Sequence, residues 1–348
     1  MKATLDRARV LLAALVLAVF AAAPAAAQQS TTEVPLDEPE PVVVGDQPTG
    51  TIPGPDGAPT AEDGGTVVAP APAATVSVGG AESIAFDGTY VWVARQFKNS
   101  VTRVRAGDNV NGGTFKVGEN PVAVLYDGTS VWVANLESDT VTKLRPSDGA
   151  VLGTYAAGDG PSGLAYSGGT LWVTNRNTNK VTKLRTSDGA VLGAYSVGNR
   201  PIGVAVLGTS VFVANNLADT VTKLRASDGL LLGTYAVGDG PIGLASDGTN
   251  LWVTNFFGDS LMKLRPADGV KLGTFSVGAA PAGIVFSGTY IWAANSGNNT
   301  VIQVRPADGA VLSTYKTGNT PFGVTFDGVN LWAANFGSNS VSKGAATQ

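Results

Sequence analysis

The sequence predicts an all-β fold, a β-propeller of seven blades with four antiparallel strands in each. The first observation is a period of 40 residues, because an aromatic residue recurs at Trp92, Trp132, Trp172, Phe212, Trp252, Trp292 and Trp332. The second is that each period contains four apolar runs of strand length separated by Asp-Gly and other turn signals. The third is physical: one unit of this size cannot bury its own apolar faces, so the units must stack.

Residues 1–27 have the pattern of a secretory signal peptide. Three basic residues precede an apolar run at 10–23 that is short for a membrane span, and small residues occupy positions 25–27. We therefore expect cleavage before Gln28 and export to the periplasm or the extracellular space. The alternative of an uncleaved membrane anchor stays open at this point.

Residues 28–73 are rich in proline and acid. They contain nine prolines and eight acidic residues, with no Lys or Arg. Such a segment cannot bury enough apolar surface to offset the entropy cost of ordering. We expect a disordered, extended linker, which would act either as a spacer that holds the globular part away from a surface or as a passive solubilising leader.

Residues 74–348 are assigned to the propeller, and the strands of each unit are called A, B, C and D in chain order. In strand B of one unit, Leu251 and Val253 alternate with Trp252 and Thr254, so both faces of the strand carry apolar bulk. A sheet that needs cover on both sides fits a blade between two neighbours. Each aromatic is expected to bury roughly 150–250 Å² in this layer.

Closure of the ring is also predicted from the ends of the repeat array. The last unit has strands A to C and then runs out in residues 344–348 without a strand D. Residues 75–79 (TVSVG) match residues 274–278 (TFSVG), which belong to a strand D. We therefore expect the N-terminal strand to complete the seventh blade, leaving no open interface.

Composition excludes several kinds of chemistry. The chain has no Cys and no His, which removes disulfides, thiolates and the commonest general base and metal ligand. From Ala74 onward the 20 basic residues are balanced by 18 acidic ones, so no nucleic-acid partner is expected. Two Gly-Asp-Gly segments, at 158–160 and 238–240, each offer one carboxylate where calcium requires several oxygens. We predict no catalytic residue, no metal and no cofactor.

The strand B motifs LWVTN and VWVAN resemble the YVTN-type repeat. The longer unit PIGLASDGTNLWVTN…LMKLRPADG is similar to the repeats of NHL and virginiamycin B lyase-like propellers. This resemblance covers residues 75–343 and implies a seven-bladed ring. It implies little about function, since such folds carry binding scaffolds, surface proteins and enzymes. The lyase mechanism of that family uses a histidine, which this chain lacks.

The B–C and D–A loops differ among the seven copies, whereas the A–B and C–D turns hardly vary. In an up-and-down meander the two variable sets lie at the same end of the ring. Divergence on one face of a rigid scaffold is typical of a binding surface, although neutral drift also accounts for it. We predict that exposed aromatic and basic side chains on this face bind a ligand: Arg95, Phe97, Lys98, Arg176, Arg200, Phe256, Phe257 and Phe336.

Two repeated polar patterns are interpreted as structural. An Asn that ends strand B is expected to fix the B–C loop, at Asn135, Asn175, Asn215, Asn255, Asn295 and Asn335. Strand C carries Lys-x-Arg followed three residues later by Asp, as in Lys183, Arg185 and Asp188. This spacing predicts a local ion pair at the C–D turn, with alkyl stems covering apolar surface.

The predicted function is non-enzymatic binding at the cell envelope or outside the cell, by a monomeric protein without a transmembrane segment in its mature chain. The partner would be an envelope protein, peptide or glycan. Two alternatives stay open. One is a lyase or hydrolase that uses carboxylates such as Glu119, Asp159 or Asp239 in place of His, and the other is a structural surface-layer component.

Overall fold

A computed structural model describes residues 67–69 and 74–346. In this part of the chain, seven separate sheets each contain a four-stranded antiparallel meander. The predicted all-β propeller of seven blades is therefore confirmed. The predicted signal peptide and most of the predicted linker lie outside the described residues.

The strands are numbered in chain order. Two precede the first blade: β1 (Val67–Ala69) and β2 (Ala74–Ser77). Blades 1 to 3 contain β3 (Ala81–Phe86), β4 (Tyr90–Arg95), β5 (Ser100–Arg105), β6 (Asn111–Lys116), β7 (Pro121–Tyr126), β8 (Val131–Asn135), β9 (Thr140–Leu144), β10 (Val151–Ala156), β11 (Pro161–Ser167), β12 (Thr170–Asn175), β13 (Lys180–Arg185) and β14 (Val191–Ser196). A 3-10 helix, Gln96–Lys98, joins β4 to β5.

The remaining strands form blades 4 to 7. They are β15 (Pro201–Leu207), β16 (Ser210–Asn215), β17 (Thr220–Arg225), β18 (Leu231–Ala236), β19 (Pro241–Ser246), β20 (Leu251–Asn255), β21 (Ser260–Leu264), β22 (Lys271–Ser276), β23 (Pro281–Phe286), β24 (Ile291–Asn295), β25 (Thr300–Val304), β26 (Val311–Lys316), β27 (Pro321–Phe326), β28 (Asn330–Asn335) and β29 (Ser340–Ala345). Strand A of every blade lies nearest the axis, because A strands of neighbouring blades contact one another.

The ring closes as the sequence predicts. Strand β2 pairs antiparallel with β29, with Ala74 opposite Lys343 and Ser77 opposite Ser340, and the seventh sheet has the order β2-β29-β28-β27. The Lys343 Nζ also donates a hydrogen bond to the Ala106 carbonyl oxygen of blade 1, at 2.7 Å. Blade 7 is thus completed by the N-terminal strand and tied to its neighbour.

One segment departs from the predicted linker. Val67–Ala69 forms strand β1, which pairs in parallel with β26, Val67 lying opposite Ser313. Strand β26 is the outer edge of blade 6, and an edge strand carries a row of unpaired backbone groups. The two β-branched valines favour the extended conformation that this edge accepts, which the overall polar, Pro-rich composition of the segment concealed.

The core consists of layers between blades. Trp92 of blade 1 packs with Val131 and Leu144 of blade 2 in one buried cluster, and Trp332 of blade 7 packs with Val91 of blade 1 in another. All six tryptophans and Phe212 are at most 1% exposed. Burying roughly 150–250 Å² of such a ring is favourable by about 4–6 kcal/mol before entropy is counted, an upper estimate.

Loop hydrogen bonds define two faces of the ring. The Leu136 N–H donates to the Asn120 carbonyl oxygen, which joins a B–C loop to a D–A loop at one end. The Ala106 N–H donates to the Thr89 carbonyl oxygen, which joins a C–D turn to an A–B turn at the other end. The B–C and D–A end is called the loop face below, and the A–B and C–D end is called the turn face.

Candidate functional site

The loops of the loop face are linked in a ring. Each B–C loop ends in an Asn or Asp with left-handed φ, a conformation that these two residue types tolerate: Asn99, Asp139, Asn179, Asp219, Asp259, Asn299 and Asn339. The side-chain Oδ1 accepts the backbone N–H of the next D–A loop, as in Gly160 N to Asp139 Oδ1 at 2.9 Å and Gly80 N to Asn339 Oδ1 at 2.7 Å. Every blade of the ring, including the closing pair, is joined to the next in this way.

The Asn residues that end strand B lie behind these loops. They are at most 1% exposed, and their Nδ2 atoms donate to strand C hydroxyls or to a nearby carbonyl oxygen. In blade 2, for example, Asn135 Nδ2 donates to Thr142 Oγ1 at 2.9 Å. In blade 1 the corresponding Arg95 is partly exposed and its Nε donates to the Gly79 carbonyl oxygen at 3.1 Å.

A second ring of side chains lies around the axis. It is formed by the residue that follows strand B: Gln96, Leu136, Arg176, Asn216, Phe256, Ser296 and Phe336. The rings of Phe256 in blade 5 and Phe322 in blade 7 have centroids 6.5 Å apart, although these blades are not neighbours. This position and the second residue of strand A therefore both point toward the axis.

Two residues of the predicted site lie toward the axis and are not exposed on the loop face. Phe256 was expected to be exposed, and that prediction is wrong, since Phe256 is only 3% exposed. Arg176, also expected on the surface, is 9% exposed. Both follow strand B directly, so the closed ring places their side chains among those of the opposite blades. The alternation of side chains along the strands of one blade does not predict which residues the opposite blades bury.

The other predicted residues do reach the loop face. Phe97 is 58% exposed, Lys98 is exposed, and Arg95, Arg200, Phe257 and Phe336 are partly exposed. The rings of Phe97 and Phe336 come from blades 1 and 7 and have centroids 5.9 Å apart. Phe257 meets the buried Phe256 edge to face, with centroids 5.2 Å apart. The structure thus links the aromatics of blades 5, 7 and 1 by ring contacts, and Phe97 is adjacent in sequence to Lys98.

A buried acid and a buried base lie beneath this face. Glu82, the second residue of strand A in blade 1, is 5% exposed. Burial raises the pKa of the Glu82 carboxyl to about 8, against the opposing effect of the Arg176 charge. Burial likewise lowers the pKa of Arg176 to about 10; the Arg200 charge adds to this, while Glu82 and Glu137 oppose it. Burial therefore favours the protonated form of the Glu82 carboxyl, which can donate a hydrogen bond.

Sequence reasoning missed Glu82, although a signal was present. At the second position of strand A the seven copies carry Glu82, Val122, Ser162, Ile202, Ile242, Ala282 and Phe322, so Glu82 is the one acid in that set. Gln96 of the same blade is fully buried, and neither its Oε1 nor its Nε2 has a hydrogen-bond partner among the described residues. The axis is therefore polar on the side of blades 1 and 3 and aromatic on the side of blades 5 and 7.

The carboxylates named for an enzymatic alternative lie in separate D–A loops. Asp159 accepts a hydrogen bond from Asn177 Nδ2 at 2.7 Å, and it is exposed. Burial and, secondly, the charge of Asp219 raise the pKa of Asp239. Within residues 67–69 and 74–346, no group of three or more acidic side chains is placed to hold a metal ion. In the same residues no helix is long and apolar enough to cross a membrane.

Strand C lysines connect blades on the turn face. Lys183 Nζ lies 5.3 Å from the centroid of the Trp172 ring and donates to the Ala226 carbonyl oxygen of the next blade at 2.7 Å. Arg185, two residues on, instead pairs with Asp188 at 2.8 Å in the exposed C–D turn. The ion pair predicted from the spacing is present, whereas the contact of the lysine with the next blade was not predicted.

No protein-family model matches the chain, and no curated protein matches it either. Solved structures do. A streptogramin B lyase is 19% identical with a TM-score of 0.67, covering 77% of this chain and 94% of its own. Hydrazine synthase of Kuenenia stuttgartiensis is 18% identical with a TM-score of 0.67, covering 78% and 96%. A chain of a mitotic checkpoint complex is 13% identical with a TM-score of 0.72, covering 86% and 99%. The likeness to the lyase type of propeller that the repeats predict is confirmed for the fold.

Proposed function

We propose that this protein is an exported, non-enzymatic binding module that takes its ligand on the loop face. The observation that carries the proposal is the pair Phe97 and Phe336, whose rings lie 5.9 Å apart with Phe97 58% exposed. An aromatic ring left in water offers apolar contact area at little entropy cost, because few torsions must be fixed on binding. Arg95 and Lys98 lie in the same segment of blade 1 as Phe97 and add positive charge.

The surrounding scaffold favours recognition by these side chains. The loops that carry them are joined from blade to blade by the Asn and Asp bonds described above, so the two rings are held on a rigid frame. A preorganised surface binds more tightly than a flexible one because less motion is lost. At this surface Phe97 is exposed and Phe257 and Phe336 are partly exposed, while most of the residues that directly follow strand B are buried beneath them. Aromatic rings at the surface, without converging carboxylates, favour a binding module over an enzyme.

Export is the second part of the proposal and rests on the sequence of residues 1–27. Their basic, apolar and small-residue regions have the order of a secretory signal. Expression in a bacterial host with fractionation, followed by N-terminal sequencing of the exported chain, should give Gln28 as the first residue. A full-length chain that stays in the cytoplasm would contradict this part alone.

The binding test compares two faces of the same ring. The double variant Phe97→Ala/Phe336→Ala removes the aromatic pair, and Val329→Ala, at a residue 69% exposed in an A–B turn, is the matched control on the turn face. Both should be measured against immobilised cell-envelope polysaccharides and peptides. We expect the double variant to lose about ten-fold or more in affinity, as for aromatic anchors, with no change for the control. Equal affinity of the double variant and the wild type would refute a site at this pair.

A further inference from the structure

The seven Asn and Asp residues that link the loops all accept a hydrogen bond through Oδ1, and they differ in the other terminal atom of the side chain. In each, Oδ1 accepts a backbone N–H, as in Thr320 N to Asn299 Oδ1 at 2.8 Å and Gly240 N to Asp219 Oδ1 at 2.9 Å. The second side-chain atom is an amide nitrogen in Asn and a charged oxygen in Asp. Asp139, Asp219, Asn299 and Asn339 are exposed, so the same loop geometry carries either a hydrogen-bond donor or negative charge at the surface.

Asn occupies three consecutive blades of the ring, while blade 3, with Asn179, lies between two blades that carry Asp. Asn299, Asn339 and Asn99 are consecutive in blades 6, 7 and 1, across the point of closure, whereas blades 2, 4 and 5 carry Asp. The B–C and D–A loops of blades 6, 7 and 1, from Val277 around to Asn99, contain no Asp or Glu. We call this sector the donor arc, defined by Asn299, Asn339, Asn99, Phe97, Phe336, Arg95 and Lys98.

The opposite sector has the reverse character. The corresponding loops from blade 2 to blade 5 contain two basic residues, Arg176 and Arg200, against seven acidic ones: Glu119, Glu137, Asp139, Asp159, Asp219, Asp239 and Asp259. A negatively charged ligand is therefore favoured at the donor arc over that sector. Within the arc, the amide N–H groups and the two basic side chains supply donors, and the Phe97–Phe336 pair supplies an apolar platform.

We propose that the donor arc binds an acidic polysaccharide built of carboxylated sugars. This inference rests on the proposed binding function and names its ligand class. A sugar ring presents an apolar face that packs on a phenyl ring, and its hydroxyl and carboxylate oxygens accept hydrogen bonds from amides. Its carboxylate makes charge-assisted hydrogen bonds with Lys98 and Arg95. Two cations among many neutral donors fit one charge per sugar residue better than the dense charge of a nucleic acid.

The chain itself supplies a conservative variant for the test. Asn299→Asp/Asn339→Asp preserves the linking bond, because Asp139 and Asp219 make it with the same geometry in this protein, at 2.9 Å each. The change replaces two amides of exposed residues with negative charge. The matched control is Asp139→Asn/Asp219→Asn, which makes the reverse exchange in the opposite sector. Thermal melts of both variants should stay close to that of the wild type.

The probes are an oligogalacturonate, its neutral methyl ester and a poly-glutamate peptide, measured by calorimetry at two salt concentrations. We expect the wild type to bind the oligogalacturonate about ten-fold more tightly than the ester, and added salt to weaken that binding. Asn299→Asp/Asn339→Asp should lose about ten-fold, while the control should change by less than about two-fold, because screening limits charge effects from the far sector.

The possible results separate this inference from the proposed function. If the ester binds as well as the acid, and only Phe97→Ala/Phe336→Ala weakens it, the aromatic site stands and the acidic ligand class is overturned. If poly-glutamate binds more tightly than the oligogalacturonate, the partner is an acidic peptide and the polysaccharide is wrong. Equal and opposite effects of the two charge-exchange variants would show a general field rather than a local site. An absence of binding to all three probes overturns the inference.

Discussion

Blades 1, 2, 5 and 7 provide a hydrogen-bond acceptor for the buried aromatic residue of strand B, and blades 3, 4 and 6 do not. In the first group an Asp in the A–B turn accepts the indole N–H of the strand B tryptophan, as in Asp247 Oδ2 to Trp252 Nε1 at 2.8 Å. In blades 3 and 6 that Asp is Ser167 or Ser287, and the indole nitrogens of Trp172 and Trp292 are buried without a partner among the described residues.

Blade 4 resolves the same problem differently. Leu207 occupies the Asp position, and the aromatic is Phe212, which has no N–H to satisfy. The comparison separates two contributions of the aromatic residue. All seven blades need its apolar volume, and only a tryptophan also needs an acceptor for one polar atom. A buried N–H without a partner costs about 1–3 kcal/mol, so blades 3 and 6 are the weak points of an otherwise uniform ring.

The largest expected effect removes the aromatic volume. Trp252→Ala should lower the free energy of unfolding by about 3–5 kcal/mol, because a large cavity forms between blades 5 and 6. Trp172→Ala should cost about 1–3 kcal/mol less, since it also removes a buried N–H that has no acceptor. Urea denaturation of both variants checks the difference. Equal losses would show that the two tryptophans are equivalent and that the missing acceptor has no energetic consequence.

This comparison also shows what the sequence could reveal. The 40-residue recurrence of Trp92 and its equivalents predicts the blades. Each aromatic ring must be covered by the neighbouring blade, whether or not its indole N–H has a hydrogen-bond acceptor. The Asp and Trp of the Asp–Trp bond also recur at a spacing of five, with Leu207 and Phe212 changing together. The spacing alone does not indicate this bond, because an Asp before Gly is equally expected in a tight turn.

The loop face was less predictable for a physical reason. Phe256 and Phe257 are adjacent in sequence, yet only closure of the ring decides that Phe256 fills the axis and that Phe257 lies nearer the surface. Glu82 and Arg176 interact although they belong to different blades, so no local pattern connects them. Local periodicity predicts which element a residue belongs to, and contacts across the axis depend on the assembled ring.

A smaller effect is expected from supplying the missing acceptor. Ser167→Asp should stabilise the chain by about 1 kcal/mol at neutral pH, by giving Trp172 Nε1 a carboxylate. Leu207→Asp is the matched control and should be neutral or destabilising, because Phe212 offers no N–H. Thermal unfolding of the two variants beside the wild type measures the difference. A gain in the control equal to that in Ser167→Asp would mean that turn geometry, rather than the indole, is responsible.

The pH dependence of this gain has a definite sign. Burial raises the pKa of Asp247, but hydrogen bonds from the Trp252 indole and from the backbone N–H groups of Asn250 and Thr249 outweigh it, so the pKa lies below its usual value. A carboxylate with a depressed folded-state pKa stabilises the fold above the unfolded pKa of about 3.9, and this stabilisation is lost as the pH falls through the folded value. The advantage of Ser167→Asp over the wild type should therefore disappear on acidification below about pH 4.

The smallest effect is expected at the other turn of the same face. Arg225 and Asp228 form a short ion pair, 2.6 Å between Nη2 and Oδ2, but both side chains are about half exposed. Their attraction is screened by water and offset by the entropy cost of holding two mobile side chains. The short distance therefore does not indicate a large contribution to stability. Arg225→Gln should leave the thermal midpoint unchanged, whereas Asp247→Asn, which weakens the partly buried acceptor of an indole, should lower it. If Arg225→Gln lowers the thermal midpoint as much as Asp247→Asn does, repetition of the ion pair around the ring, and not burial, determines how much the pair stabilises the fold.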